Sequence, residues 1–93
     1  RIANMAEDHG IQMIPHGWNT AVGLATDLQL SSAFHRTNFV EYCTGAPYVD
    51  DITTKPWVLD KEGMLEIPSG PGIGIELDPA KIEKYSGVTN LLS

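Results

Sequence analysis

One short segment constrains this chain more than any other: Ile11-Gln12-Met13-Ile14-Pro15-His16-Gly17-Trp18. The apolar run at Ile11, Met13 and Ile14 is nearly continuous, as in a strand buried on both faces of a parallel sheet. It predicts a strand over residues 11–15, ended by Pro15, which has no N–H to give a ladder. A titratable side chain, a glycine and a helix start follow at once. In α/β barrels and open α/β sheets the carboxyl ends of parallel strands carry the chemistry. A histidine there can exchange a proton near neutral pH, so His16 is the first candidate residue.

The flanking segments extend this pattern. Ile2, Met5, Ala6 and His9 fall on one face of a helix over residues 1–9, and Gly10 is a stop signal just past its end. No capping residue precedes Arg1, so the helix has no start of its own, which predicts that these residues belong to a longer polypeptide. Asn19 or Thr20 can cap a second helix running to about Phe34, with Ala21, Leu24, Ala25 and Leu28 on one face. Phe39-Val40-Glu41-Tyr42 reads as a second short strand. Helix, strand, helix, strand is the βαβ rhythm of a parallel sheet.

After Cys43 the character changes. Thr44-Gly45-Ala46-Pro47 reads as loop. Trp57-Val58-Leu59 and Met64-Leu65-Glu66-Ile67 flank a predicted hairpin turn, with Gly63 at the positive-φ position. Ser69 to Gly74 is a second loop with two tight backbone positions. Asp78-Pro79 is a cap followed by proline at the first helical position, predicting a helix over about Pro79 to Tyr85 that Gly87 closes.

Composition narrows the function classes. Ninety-three residues form one small domain or part of a larger one, and the single cysteine, Cys43, allows no internal disulfide. That fits a reducing, cytoplasmic compartment. No apolar run approaches the roughly 20 residues of a membrane span. The net charge is −6 and the six basic residues are scattered. Nucleic acid and anionic membrane surfaces both need clustered positive charge, so neither is expected as a partner. An anionic small substrate remains compatible, because a local site can be positive in an acidic protein.

Each candidate residue has a plainer alternative. His16 can act as a general base or acid, or simply bond backbone; the strand end, the breaker and the capped helix favour the first. A carboxyl at a sheet rim is costly unless paired or protonated. Glu41 could therefore contact substrate oxygens, or form a salt bridge with a lysine or arginine of a neighbouring strand. Trp18 could wall a substrate pocket or pack across the helix start. Cys43 could pair with His16 as a thiolate, but a small buried thiol is the simpler reading. The three histidines lack helical zinc spacing and there is no CxxC, so no metal site is expected from this chain alone. Gly70-Pro71-Gly72-Ile73-Gly74 fails the dinucleotide-binding pattern, and there is no GxSxG elbow.

Ile14-Pro15-His16-Gly17-Trp18, then Phe39-Val40-Glu41-Tyr42, Gly63 to Pro68 and Pro71 to Asp78 resemble, in order and spacing, the carboxy-terminal portion of the enolase superfamily. The similarity is greatest to the mandelate racemase subgroup with its acid-sugar dehydratases, and it covers essentially the whole chain. The resemblance implies an α/β fold, a modified (β/α)7β TIM-type barrel with a separate capping domain. Residues 1–43 would form the last two strands and their helices. Residues 44–93 would form the hairpin and helix that return to the capping domain. It implies His16 as catalytic base or acid and Glu41 as the group that bonds the substrate carboxylate as it becomes an enediolate.

It also implies a Mg2+ cofactor whose ligands lie on strands outside this segment, together with the lysine base and the aspartate that orients the histidine. The expected partners are a small carboxylate substrate, an acid sugar, and the rest of the same polypeptide, with a homo-oligomer as the full-length enzyme. The Pro-His-Gly-Trp form favours a dehydratase over a racemase or epimerase. Such a segment alone should not catalyse the reaction. The contrasting reading is a non-catalytic fragment or binding module.

Overall fold

Proline and glycine punctuate this chain, and its helices form between them. In a computed structural model, which describes residues 1–86, the elements are α1 (Ile2–Asp8), α2 (Ala21–Ser32), α3 (Pro47–Asp50) and α4 (Pro79–Ser86). α1 ends as Gly10 predicts. Gly10 takes φ +65°, and the N–H groups of Gly10 and Ile11 donate to Glu7 and Ala6 at 3.0 and 2.8 Å, a Schellman closure. Its predicted inward face differs, however. Ala3 is buried, whereas Ile2 and Met5 face solvent, because no described element covers them. His9 turns its Nδ1 back to the Met5 carbonyl at 2.9 Å.

α2 is the spine of the molecule. The Thr20 hydroxyl accepts from Val22 N–H at 3.2 Å, so Thr20 is the cap. The face read from the sequence is the buried one: Ala21, Leu24, Ala25 and Leu28 are all under 7 % exposed. Leu24 and Leu28 meet Ala46 and Val49, and Val40, Tyr42, Cys43, Trp57 and Leu65 pack around them. Val49 lies in α3 and Ala46 caps it; this short helix begins within the segment expected as loop, Thr44 to Pro47, with Pro47 at its first turn.

The two predicted strands are the main departure. Residues 11–15 and 39–42 run without helix or ladder, and among the described residues pairing is confined to two isolated antiparallel bridges, Thr53 with Leu77 and Leu59 with Leu65. A strand is stable only when its neighbours take up its backbone groups, and these runs have none here. The expected burial on both faces is absent as well, since Ile11, Ile14 and Phe39 are 60, 45 and 64 % exposed.

Beyond Cys43 the reading holds more closely. Asp60 N–H donates to the Met64 carbonyl at 2.9 Å and Gly63 has φ +75°, closing the hairpin. Gly72 and Gly74 are the two tight positions of the second loop, both at positive φ. Asp78 caps α4 by accepting from Ala80 N–H at 3.0 Å. Gly87, the expected end of that helix, lies outside the described residues. The Thr53–Leu77 bridge brings α4 beside α3, where Lys81 and Tyr85 both reach Asp51, at 3.4 and 2.7 Å.

Candidate active site

His16 and Glu41 end the two extended runs and flank α2. Though 25 residues apart in sequence, their side chains are joined: His16 Nδ1 and Glu41 Oε2 share a hydrogen bond. The side chains are 70 and 54 % exposed, so the pair lies open on the surface. At the rim Glu41 is paired with a histidine instead of a lysine or arginine.

Gly17 follows His16 and leaves room for two polar side chains. A Cβ there would sit 2.9 Å from both Asn19 Nδ2 and Asp27 Oδ2, so glycine lets the ends of these two side chains close against the backbone without moving aside. Gly17, Asn19, Asp27, Glu41 and Cys43 line a cleft of about 10 Å3 over Leu24, room for a single water at most. Asp27 went unread in the sequence. Its signal is that it is the sole charged residue within α2, at a position where exposed helical faces ordinarily carry several charges.

Behind the pair, Tyr42 donates its hydroxyl to the Asp50 carboxylate, fastening the second run to α3. Burial, then the bond and charge of Asp50, then nearby Cys43, push the Tyr42 phenol up to about 12. Cys43 is a free, half-buried thiol, and its contact is with the Thr44 carbonyl, not with His16. Trp18 is 72 % exposed and does not line the cleft. A cavity of about 530 Å3 lies between the hairpin and the glycine loop, and none of His16, Trp18 and Glu41 lines it.

With this geometry in place the chain can be set beside known proteins. The enolase C-terminal domain-like family matches residues 1–81. The chain belongs to this family, within the enolase superfamily. It is 33 % identical over 94 residues to the D-galactarolactone cycloisomerase of Agrobacterium fabrum (strain C58), covering 91 % of this chain and 25 % of that protein. It also matches the crystal structure of a Mesorhizobium loti protein provisionally named a dehydratase, with TM-score 0.75 and 25 % identity over 90 % of this chain and 23 % of the other. The chain therefore spans about a quarter of the length of these relatives.

The enolase-superfamily residues present here do not by themselves fit a magnesium site. Among the described residues no three His, Cys, Asp or Glu side chains cluster closely enough to hold a metal. Mg2+ asks for octahedral oxygen ligands, and the one carboxylate beside His16 is already bonded to the imidazole. Among the described residues no helix is long and apolar enough to cross a membrane.

Proposed function

We propose that this chain is the carboxy-terminal part of an enzyme that removes the proton next to a carboxylate, most closely a sugar-acid dehydratase. The observation that carries the reading is the pairing of His16 with Glu41 at the ends of two extended runs in a member of this superfamily. Residues 1–43 would supply the last two strands of a (β/α)7β barrel. Residues 44–93 would return to the capping domain.

In this reading His16 takes the α-proton, and Glu41 bonds the substrate carboxylate as its charge grows. A base and a hydrogen-bond donor placed where charge develops each lower the barrier. The β-hydroxyl then leaves, aided by an acid, giving a 2-keto-3-deoxy product. Trp18, open beside His16 in sequence, would form part of the substrate wall once the rest of the polypeptide is in place. The Mg2+ that the superfamily implies would be held by residues outside this segment. A homo-oligomer in the cytoplasm completes the proposal.

The relative named as a cycloisomerase favours a second reading in the isomerase class, which also includes racemases and epimerases. Mass spectrometry of products from sugar acids and lactones separates the two, because dehydration removes a water and isomerisation leaves the mass unchanged. His16→Asn in the full-length enzyme tests both. Turnover should fall at least about 100-fold with thermal stability nearly unchanged, since the side chain is exposed. Unaltered turnover would remove His16 from the mechanism and leave a non-catalytic role.

A further inference from the structure

We propose that Asn19 and Asp27 are positioning residues for His16: their side-chain ends close over Gly17 and fix the turn that carries His16 and Trp18. The inference rests on the reading of His16 as the base and goes beyond it by naming what holds that base in place.

Pro15 stiffens the backbone just before His16, because its ring locks φ. Gly17, just after it, has the freest backbone of any residue type. The His16 side chain is 70 % exposed, so packing does not hold it either. The restraint comes from α2. Asn19 Nδ2 and Asp27 Oδ2 both lie 2.9 Å from the point where a Cβ of Gly17 would stand. The same Nδ2 lies 3.2 Å from the Cβ position of Gly23, so the Asn19 side chain runs between two glycines. Asn19, Gly23 and Asp27 follow one another at intervals of four, which is one row along the helix surface. A glycine inside a helix is costly, since it loses more freedom on folding than any other residue. Gly23 has a reason to be there: a Cβ would stand 2.4 Å from the Asn19 Cβ, an overlap relieved only by displacing the whole Asn19 side chain.

Gly17, Asn19 and Asp27 line the same small cleft as Glu41. The polar wedge therefore sits between the ends of the two extended runs. It acts on the backbone of the turn, not on the imidazole ring. Holding a base in a near-attack position lowers the barrier, and a displacement of about 1 Å costs up to about 100-fold in rate.

The test uses the full-length polypeptide containing these residues. It is first labelled with 5-fluorotryptophan, and the Trp18 fluorine line is assigned by Trp18→Phe. The wild type should show one narrow line. Gly23→Ala and Asn19→Ala should split or broaden it while keeping their circular dichroism spectra. An unaltered line in both overturns the wedge. Exchange of the α-proton into D2O is then followed on D-galactarolactone and a panel of sugar acids. Gly23→Ala should lower kcat roughly 10- to 100-fold with KM nearly unchanged. Its melting temperature should stay level or rise, because alanine is the better helix former. Asp27→Ala should lose as much turnover, and Asp27→Asn, which keeps the shape and a polar end, should recover most of it. Turnover kept by Gly23→Ala or by Asp27→Ala, or lost only in step with melting temperature, overturns the inference while the functional reading stands. A wild type that exchanges no probe overturns that reading, and the positioning role with it.

Discussion

Gly17 is the residue at which the smallest change has the widest reach. An added methyl would meet the Asn19 amide and the Asp27 carboxylate, both free to swing aside. Gly17→Ala should therefore cost only about 1 kcal/mol in urea denaturation yet shift the histidine resonances of His16 by moving its turn. Tyr42 gives a pH signature. Folding raises its phenol from 10.0 to about 12, by burial first and Asp50 second. The folded chain thus holds this proton more tightly than the unfolded chain. That stabilisation is complete below the unfolded value and is lost as pH rises through about 12. Tyr42→Phe should abolish the last phase of tyrosinate absorbance and the matching alkaline fall in stability. At this scale the sequence showed His16 and Glu41 singly, because each ends a recognisable run. Their direct bond was not legible, since it depends on how α2 folds one run back beside the other. Asp27 and the Tyr42–Asp50 bond were missed for the same reason.

At the scale of elements, α2 was the most legible, because twelve residues give the helical period room to repeat and Thr20 marks its start. Thr20→Ala should cost about 1 kcal/mol, and Leu28→Ala about 2–5 kcal/mol, both measured by denaturant melts. α3 was illegible as a helix, since four residues hold barely one turn of pattern. The strands were legible as apolar runs but not as ladders, because a ladder belongs to two segments and a sequence run is only one. α4 depends on Asp51, whose carboxyl is held below its usual range, first by the Tyr85 hydroxyl and then by Lys81. A carboxyl depressed in this way stabilises the folded state above its unfolded value, and the benefit disappears as pH falls through the folded one. Asp51→Asn should flatten the acid limb of α4 unfolding, followed by amide hydrogen exchange.

Taken whole, the molecule leaves too much surface uncovered. Its accessible area is 6889 Å2, against roughly 5,300 Å2 for a compact monomer of this mass. Its radius of gyration is 15.2 Å, against roughly 12 Å. The excess is about twice one side of a standard interface. Ile2, Ile11, Ile14, Trp18 and Phe39 are all part of what is exposed. The 93 residues expressed alone should therefore bind a hydrophobic dye and associate with rising concentration in light scattering, whereas the same residues within the full-length polypeptide should do neither. Beside the apolar core, one polar contact ties α2 to the glycine loop. Gln29, on the spine helix, donates its amide to the Pro68 and Ile73 carbonyls at 2.7 and 3.2 Å. Both partners are acceptors, so only the nitrogen end of that side chain can serve. Deamidation of Gln29 would keep its size and replace the clasp with a negative charge facing two carbonyl oxygens. Ageing of this single amide would unfasten the glycine loop without removing any carbon atom from the core.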